Sequence, residues 1–164
     1  MTESIYKFDP ELDLLLERTV DVKPEFVWAA WTQPKHLMHW FTPAPWKTVE
    51  CEIDLRPGGV FSNVMESPEG EKFPHVGCYL EVVENRRLVW TGELGPGYRP
   101  QKKTGEQPFG MTVVLTFEAD GEGTKYRAHV MHGGPDERKK HEEMGFEHGW
   151  GKALEQLVEY MKNV

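Results

Sequence analysis

Histidine and cysteine side chains are the residues of this chain best suited to metal binding or nucleophilic chemistry. The 164 residues include seven histidines and two cysteines. His36 and His39 lie three apart in a segment with helical spacing, and His129 and His132 lie three apart at a strand end. Neither pair shows HExxH spacing or a cysteine-rich pattern, and a regular strand would put His129 and His132 on opposite faces. We therefore expect no metal ion and no cofactor.

The two cysteines, Cys51 and Cys78, do not predict a nucleophile. Cys51 occupies an apolar position of an alternating segment, where a thiol is usually a small, inert core residue. Ser62 and Ser67 lack the strand–turn–helix context of a nucleophile elbow. Two cysteines without a signal peptide indicate free thiols in a reducing compartment, so we expect a cytoplasmic protein and no catalytic residue.

The charge and the hydropathy of the chain argue against two classes of partner. The formal net charge is −8 at pH 7, and a negative surface repels both phosphate backbones and anionic lipid. No apolar run approaches the roughly 20 residues needed to cross a bilayer. We expect neither nucleic acid nor membrane as a partner.

Alternating apolar positions predict an antiparallel sheet. Val49, Cys51 and Ile53 alternate with charged residues, as in a half-buried strand, and the turns between such runs are short. The predicted strands cover residues 12–21, 46–55, 60–65, 75–83, 87–91, 111–118 and 124–131. Residues 92–110 contain five glycines and three prolines, which predicts a long loop able to act as a lid.

Helical spacing predicts two short helices after the first strand and one long helix at the C-terminus. The second short helix is expected to carry Leu37, Trp40 and Phe41 on one face. The long helix has an apolar stripe from Phe146 through Trp150 to Met161. Gly145, Gly149 and Gly151 interrupt it, either to allow close packing on the sheet, to leave space at a cavity mouth, or because 136–144 is a separate turn.

These elements predict an α+β domain in which a curved antiparallel sheet of six to seven strands grips the C-terminal helix around an apolar cavity. We expect residues 1–10 to be a flexible arm and residues 11–164 to form a single domain. An unpaired edge strand can pair across a two-fold axis, so a homodimer is one expected state.

The sequence also resembles one protein family over about residues 12–162. It is similar to homologues of the activator of heat-shock protein 90 ATPase, within the helix-grip superfamily that includes START lipid-transfer domains, polyketide cyclases and the birch-pollen allergen. The resemblance rests on PEFVWAAWTQPKHLMHWF (24–41), DLRPGG (54–59) with Phe61, GCYLEVV (77–83), RRLVWT (86–91), Gly149-Trp150 and Leu154.

This resemblance implies a helix-grip fold with an apolar cavity. It implies no catalytic residues, because the family has no shared set of them. The eukaryotic activator has an additional N-terminal domain that binds the chaperone. A chain of 164 residues leaves no room for that domain, so family likeness alone does not support a chaperone partner.

Strand parity and family position give candidate ligand contacts. Nine residues are expected to line the cavity: Trp40, Phe61, Met65, Tyr79, Trp90, Met111, Val113, Phe146 and Trp150. Five polar residues are expected to orient a ligand: His75, Glu93, Tyr98, Arg99 and His132. The same residues can equally be ordinary core, and a one-residue shift in register would exchange inward and outward faces.

Three functions follow from these observations. The first is non-enzymatic binding of a small apolar or amphipathic molecule, indicated by the aromatic-rich sheet. The second is a protein-interaction module of the chaperone-activator kind, which requires an exposed apolar patch. The third is a cyclase- or hydrolase-type enzyme, which requires His75, Glu93 and His132 to converge on substrate.

Overall fold

The computed structural model describes residues 5–102 and 109–164. The strands are β1 (Asp13–Val20), β2 (Lys47–Ile53), β3 (Val60–Glu66), β4 (Lys72–Val83), β5 (Arg87–Thr91), β6 (Leu94–Gly95), β7 (Arg99–Pro100), β8 (Thr112–Asp120) and β9 (Gly123–Met131). The helices are α1 (Pro24–Thr32), α2 (Pro34–Leu37), α3 (Pro135–Glu143) and α4 (Phe146–Lys162).

Seven of these strands form one antiparallel sheet in the order β1-β9-β8-β5-β4-β3-β2. The apolar stripe of α4 packs on one face of this sheet, and α1 packs beside it. The expected α+β class, the seven strands and the helix-grip fold are confirmed.

A single glycine divides the C-terminal helical region. Gly145 has a φ of 93°, a left-handed conformation that L side chains rarely adopt, and it separates α3 from α4. The sequence left three explanations open for the glycines of this region. For Gly145 the correct one is a separate element before the long helix. The 136–144 segment is a helix rather than a turn.

The inner face of the sheet carries the core. Register pairs Phe61 with Gly77, and Tyr79 with Trp90, so these residues share one face with Val113. Successive side chains of a strand point to opposite faces, and the inner positions of β5, β8, β9 and β1 are almost entirely buried apolar residues. This burial fixes the register that the sequence could only suggest.

The N-terminal segment crosses the outer face of the same sheet. The Phe8 ring lies 5.4 Å from that of His129, and the Tyr6 hydroxyl donates to Glu81 Oε1 at 2.9 Å. Beneath this segment, Val89 and Val114 are buried on the outer face. The expected flexibility of residues 1–10 stays a prediction, and residues 1–4 lie outside the described part.

The Gly/Pro-rich loop contains more structure than its composition predicts. β6 and β7 form a small hairpin around a 3-10 turn at Pro96–Tyr98. The Gln101 amide donates to the backbone carbonyls of Val76, Gly92 and Leu94 and so ties the hairpin to the sheet. Residues 103–108 of the predicted lid lie outside the described ranges.

Candidate functional site

The inner face of strands β2 to β5 differs from the rest of the core because polar residues interrupt it. Register pairs Cys51 with Asn63 and Asn63 with His75, which places three polar side chains in a row across β2, β3 and β4. None of the inner-face positions on these four strands is Asp, Glu, Lys or Arg. This half of the face is therefore polar but uncharged.

Aromatic rings cover the neighbouring positions. Phe61 is central: its ring lies 5.4 Å from that of Tyr79 in a stacked arrangement and 4.9 Å from that of Trp90 in a T-shaped one. Trp31 and Phe41 close the group from the helical side, 5.7 Å apart. We call Trp31, Trp40, Phe41, Phe61, Tyr79 and Trp90 the aromatic cluster.

The buried polar atoms without a hydrogen-bond partner in the described residues are Trp31 Nε1, His75 Nδ1, Arg127 Nε and three atoms next to Phe61. These three are the Tyr79 hydroxyl, the Trp90 Nε1–H and the Asn63 side-chain oxygen. The exposed fractions of these residues are 0%, 6% and 6%, so bulk water does not reach them freely. A buried polar atom without a partner costs about 1–3 kcal/mol, and such atoms require an explanation in a folded protein.

The titratable groups around these atoms are held neutral. Burial raises the pKa of the Tyr79 phenol, and the nearby Cys51 thiol adds to this shift. Burial raises the pKa of Cys51 itself to about 11. Burial lowers the pKa of His75, against a smaller opposing effect of the Phe73 backbone.

A second ring group lies where α3, α4 and the end of β9 meet. The His141 ring contacts those of Phe109, His132 and Phe146 at 4.4, 5.1 and 5.1 Å, and Trp150 lies 5.3 Å from Phe146. We call these five residues the histidine cluster. His141 is buried, and burial together with His132 lowers its pKa to about 4.

The predicted apolar contacts divide between core and periphery. Six of the nine are buried: Trp40, Phe61, Tyr79, Trp90, Val113 and Phe146. Met111 and Trp150 are half-buried against the core. Met65 is half-buried and in register with Thr48 and Phe73 at the end of β3. Their role as ligand contacts stays a prediction.

The five predicted polar contacts lie in four places. His75 is half-buried beside Asn63, and His132 bonds to His141. The Glu93 carboxylate lies against Gly110. The other two, Tyr98 and Arg99, are exposed on the β6–β7 hairpin, where Tyr98 packs over Gly58. No hydrogen bond or ring contact between described residues joins His75, Glu93 and His132 to one another.

Gly149 marks open space beside α4. A Cβ added at Gly149 would meet no atom within 4 Å, although this glycine follows the buried Phe146 by only one turn. Gly149 shares a helix flank with Ala153 and Gln156, since residues at i, i+4 and i+7 lie together. Close helix–sheet approach is therefore not the reason for this glycine.

The surface grooves of the described residues include the following three. One of about 570 Å³ runs between the end of β1 and α4, and its walls include Arg18, Gly151 and Leu154. A second of about 300 Å³ is lined by Met38, His39, Thr42, Ala44, Trp46, Lys47, Thr48, Val49 and Gln156. A third of about 530 Å³ lies between the turn at 56–60 and the β6–β7 hairpin, beside Tyr98. None of the three is lined by the aromatic cluster.

Sequence reasoning missed Asn63, Trp31, Phe109 and His141. Asn63 had a detectable signal, because it lies between the inward-facing Phe61 and Met65 on an alternating strand. His141 had none, because its helix, PDERKKHEE, is charged on every side. Its burial depends on where Gly145 ends that helix.

Neither a metal-binding group nor a membrane-spanning helix is found among the described residues. No group of three or more His, Cys, Asp or Glu residues there is arranged to hold a metal ion. No helix in the same ranges is long and apolar enough to cross a membrane. Cys51 and Cys78 are both free thiols; a cytoplasmic location stays a prediction.

The seven-stranded sheet closed on α4 defines this chain as a protein of the helix-grip class. Comparison with known families then assigns it more narrowly. The family described as Activator of Hsp90 ATPase homolog 1-like protein matches residues 21–162. The chain belongs to this family, as the sequence resemblance implied.

Solved structures support the same assignment. A protein from Nitrosomonas europaea is 46% identical, with a TM-score of 0.90 over 95% of this chain and 97% of that one. A protein from Rhodobacter sphaeroides is 21% identical, with a TM-score of 0.81 over 94% and 95% of the two chains; at this identity the likeness shows the fold alone. No curated protein matches the chain.

Proposed function

We propose that this protein binds a small amphipathic molecule between the inner face of β2–β5 and α4, without catalysing its conversion. The observation that carries the proposal is the set of three partnerless polar atoms on Tyr79, Trp90 and Asn63, buried beside Phe61. Ligand sites are mostly apolar, with a few polar groups that orient the ligand. The aromatic cluster has this composition.

The open flank of α4 supports an entrance to this face. Gly149 has free space beside it and lies on the same flank as Gln156, which lines the 300 Å³ groove. Met65 and His75 are only partly buried at the adjoining end of β3 and β4. A ligand entering here would reach Asn63 first and Tyr79 after it.

The test is ligand capture by the full chain. Purified protein is screened by native mass spectrometry against small hydrophobic metabolites, and hits are confirmed by thermal shift. We expect at least one compound to bind and to raise the melting temperature in a concentration-dependent way. A protein that retains no compound and shows no thermal shift with any of them would contradict the proposal.

Two glycine variants locate the site. Gly149→Leu fills the open flank on the proposed entrance and should weaken binding at least tenfold. Gly151→Leu is the matched control: it also adds a side chain to α4 where nothing lies within 4 Å, but it lines the groove beside β1. Equal binding by both variants would exclude an entrance at Gly149.

A second candidate function is the activator-like interaction that the family name describes. An exposed aromatic pair favours it: Trp46 and Phe73 lie 5.5 Å apart and are 38% and 41% exposed. Trp46 directly precedes the edge strand β2, and Phe73 lies at the start of β4 in register with Met65. Exposed apolar patches are typical of protein-interaction surfaces.

This candidate is tested by chaperone ATPase activity. Adding the protein in excess to a heat-shock protein 90 should stimulate ATP hydrolysis, and the Trp46→Ser/Phe73→Ser double variant should lose the stimulation. Because both side chains are partly exposed, the variant should stay folded, which circular dichroism checks. No stimulation by the wild-type protein would end this candidate.

A further inference from the structure

We infer that the ligand of the inner face is an uncharged, flat molecule whose polar group is a hydroxyl or enol able to hydrogen-bond to Tyr79, Trp90 and Asn63. This inference rests on the proposed function and narrows it to a chemical class. It follows from which atoms lack partners, what surrounds them and where charges are missing.

The partnerless atoms define the hydrogen-bonding pattern. The Trp90 Nε1–H can only donate, and the Tyr79 hydroxyl can donate or accept. The Asn63 side-chain oxygen can only accept. A single hydroxyl or enol on the ligand satisfies this pattern, because it accepts from Tyr79 or Trp90 and donates to Asn63. A purely apolar ligand would leave all three atoms unpaired.

The missing charges exclude ionised ligands. The inner-face positions of β2 to β5 include no acidic or basic side chain apart from the imidazole of His75. Burial keeps the Tyr79 phenol and the Cys51 thiol protonated and the His75 ring neutral. A carboxylate or ammonium group here would be a buried charge without a counter-charge, which is far more costly than a buried neutral polar group.

The ring geometry favours a flat ligand. Phe61 stacks with Tyr79 at an interplanar angle of 24°, and Trp90 meets Phe61 edge-on at 73°. A planar aromatic ligand can meet such rings by offset stacking or edge contact. Gly77, opposite Phe61, has no side chain, and an added Cβ there would lie 2.7 Å from the Thr91 carbonyl oxygen.

Three probes of one shape test the inference: 2-naphthol, 2-naphthoate and naphthalene, each titrated by calorimetry into the full chain at pH 7. The hydroxyl should make 2-naphthol bind about tenfold more tightly than naphthalene, which is the upper range for one neutral hydrogen bond. The charged 2-naphthoate should bind more weakly than either. The Trp90 indole N–H resonance should shift further downfield with 2-naphthol than with naphthalene, because only 2-naphthol can accept a hydrogen bond from it.

Two variants assign the effect to the named atoms. Tyr79→Phe and Asn63→Leu keep the size of each side chain, and both should reduce the advantage of 2-naphthol over naphthalene. Tyr126→Phe removes the hydroxyl of another buried tyrosine on the inner face, on β9, and should leave that advantage unchanged.

The outcomes separate this inference from the proposed function. Equal affinity for all three probes, or tighter binding of 2-naphthoate, overturns the inference while ligand binding itself stands. The inference is also overturned if 2-naphthol keeps its advantage in Tyr79→Phe and Asn63→Leu. Binding of none of the probes rejects it too, and the metabolite screen then decides the proposed function separately.

Discussion

The imidazoles of His132 and His141 are joined directly, His132 Nε2 to His141 Nδ1 at 2.9 Å. The other nitrogen of His132, Nδ1, lies 2.8 Å from the carbonyl oxygen of Leu12. Since a carbonyl only accepts, His132 carries its proton on Nδ1 and offers Nε2 as an acceptor. When both rings are neutral, His141 therefore donates from Nδ1 to His132 Nε2.

Acidification should therefore destabilise the protein through His141. Its folded-state pKa is about 4, below the value near 6.5 of an unfolded histidine. Above pH 6.5 the ring is neutral in both states; as the pH falls, the unfolded chain binds a proton first, so the free energy of unfolding decreases until about pH 4. The loss is on the order of 3 kcal/mol.

The variant His141→Gln tests this assignment, because glutamine can donate to His132 Nε2 and does not titrate. The free energy of unfolding, measured in urea at pH 7.5 and pH 4.5, should decrease less in His141→Gln than in the wild type. The exposed His148→Gln serves as the control and should show the same decrease as the wild type. If His141→Gln also showed the wild-type decrease, His141 would not be the group responsible.

Replacing each of two glycines in the C-terminal region by alanine should change the free energy of unfolding in opposite directions. Gly145 has a φ of 93°, so Gly145→Ala should cost about 1–2 kcal/mol of unfolding free energy. Gly149 lies inside α4 with no atom within 4 Å of an added Cβ, so Gly149→Ala should add about 0.5–1 kcal/mol. Chemical denaturation measures both; a stabilised Gly145→Ala would contradict the left-handed assignment.

The strand pattern made most of the fold predictable. Alternation on β2 and β3 identified the inner positions Cys51, Ile53 and Phe61, because period-two burial is visible in the sequence itself. The second helix was less predictable: it was expected to include Trp40 and Phe41, yet α2 ends at Leu37. Trp40 is buried and Phe41 is half-buried by tertiary contacts that need no helix.

The polar part of the site was less predictable because it depends on three-dimensional neighbours. The neighbouring residues in the sequence do not indicate that the Tyr79 hydroxyl lacks a hydrogen-bond partner, or that His132 contacts His141. The β6–β7 hairpin was also invisible, since two-residue strands carry no pattern; it is held instead by Gln101. Hydrogen bonds between distant segments are the common reason for these differences.

Gln156 should be a strong point of attachment between α4 and residues 40–44. Its Nε2 donates to the carbonyls of Trp40 and Thr42 at 3.0 and 2.9 Å, and its Oε1 accepts from the Ala44 N–H at 2.9 Å. Gln156→Met should cost about 1–3 kcal/mol. Gln156→Glu should cost more at pH 7, because a carboxylate oxygen would face two carbonyl oxygens.

Denaturation curves of the two Gln156 variants decide this point. The neighbouring Glu155→Met is the control, because Glu155 is exposed and surface substitutions usually stay within about 0.5 kcal/mol. If Gln156→Glu were as stable as the wild type, the two hydrogen bonds that Gln156 donates would not contribute to the free energy of unfolding.

The Tyr79 hydroxyl should lower the stability of the ligand-free protein. It is buried and has no partner in the described residues, so Tyr79→Phe should raise the free energy of unfolding by about 1–2 kcal/mol. Most substitutions in a core destabilise, which makes a gain here informative. A loss of stability would mean instead that the hydroxyl is already paired, as by a buried water. A gain in the free protein, together with weaker binding of 2-naphthol, is the combination expected when a group is kept for ligand recognition at the expense of stability.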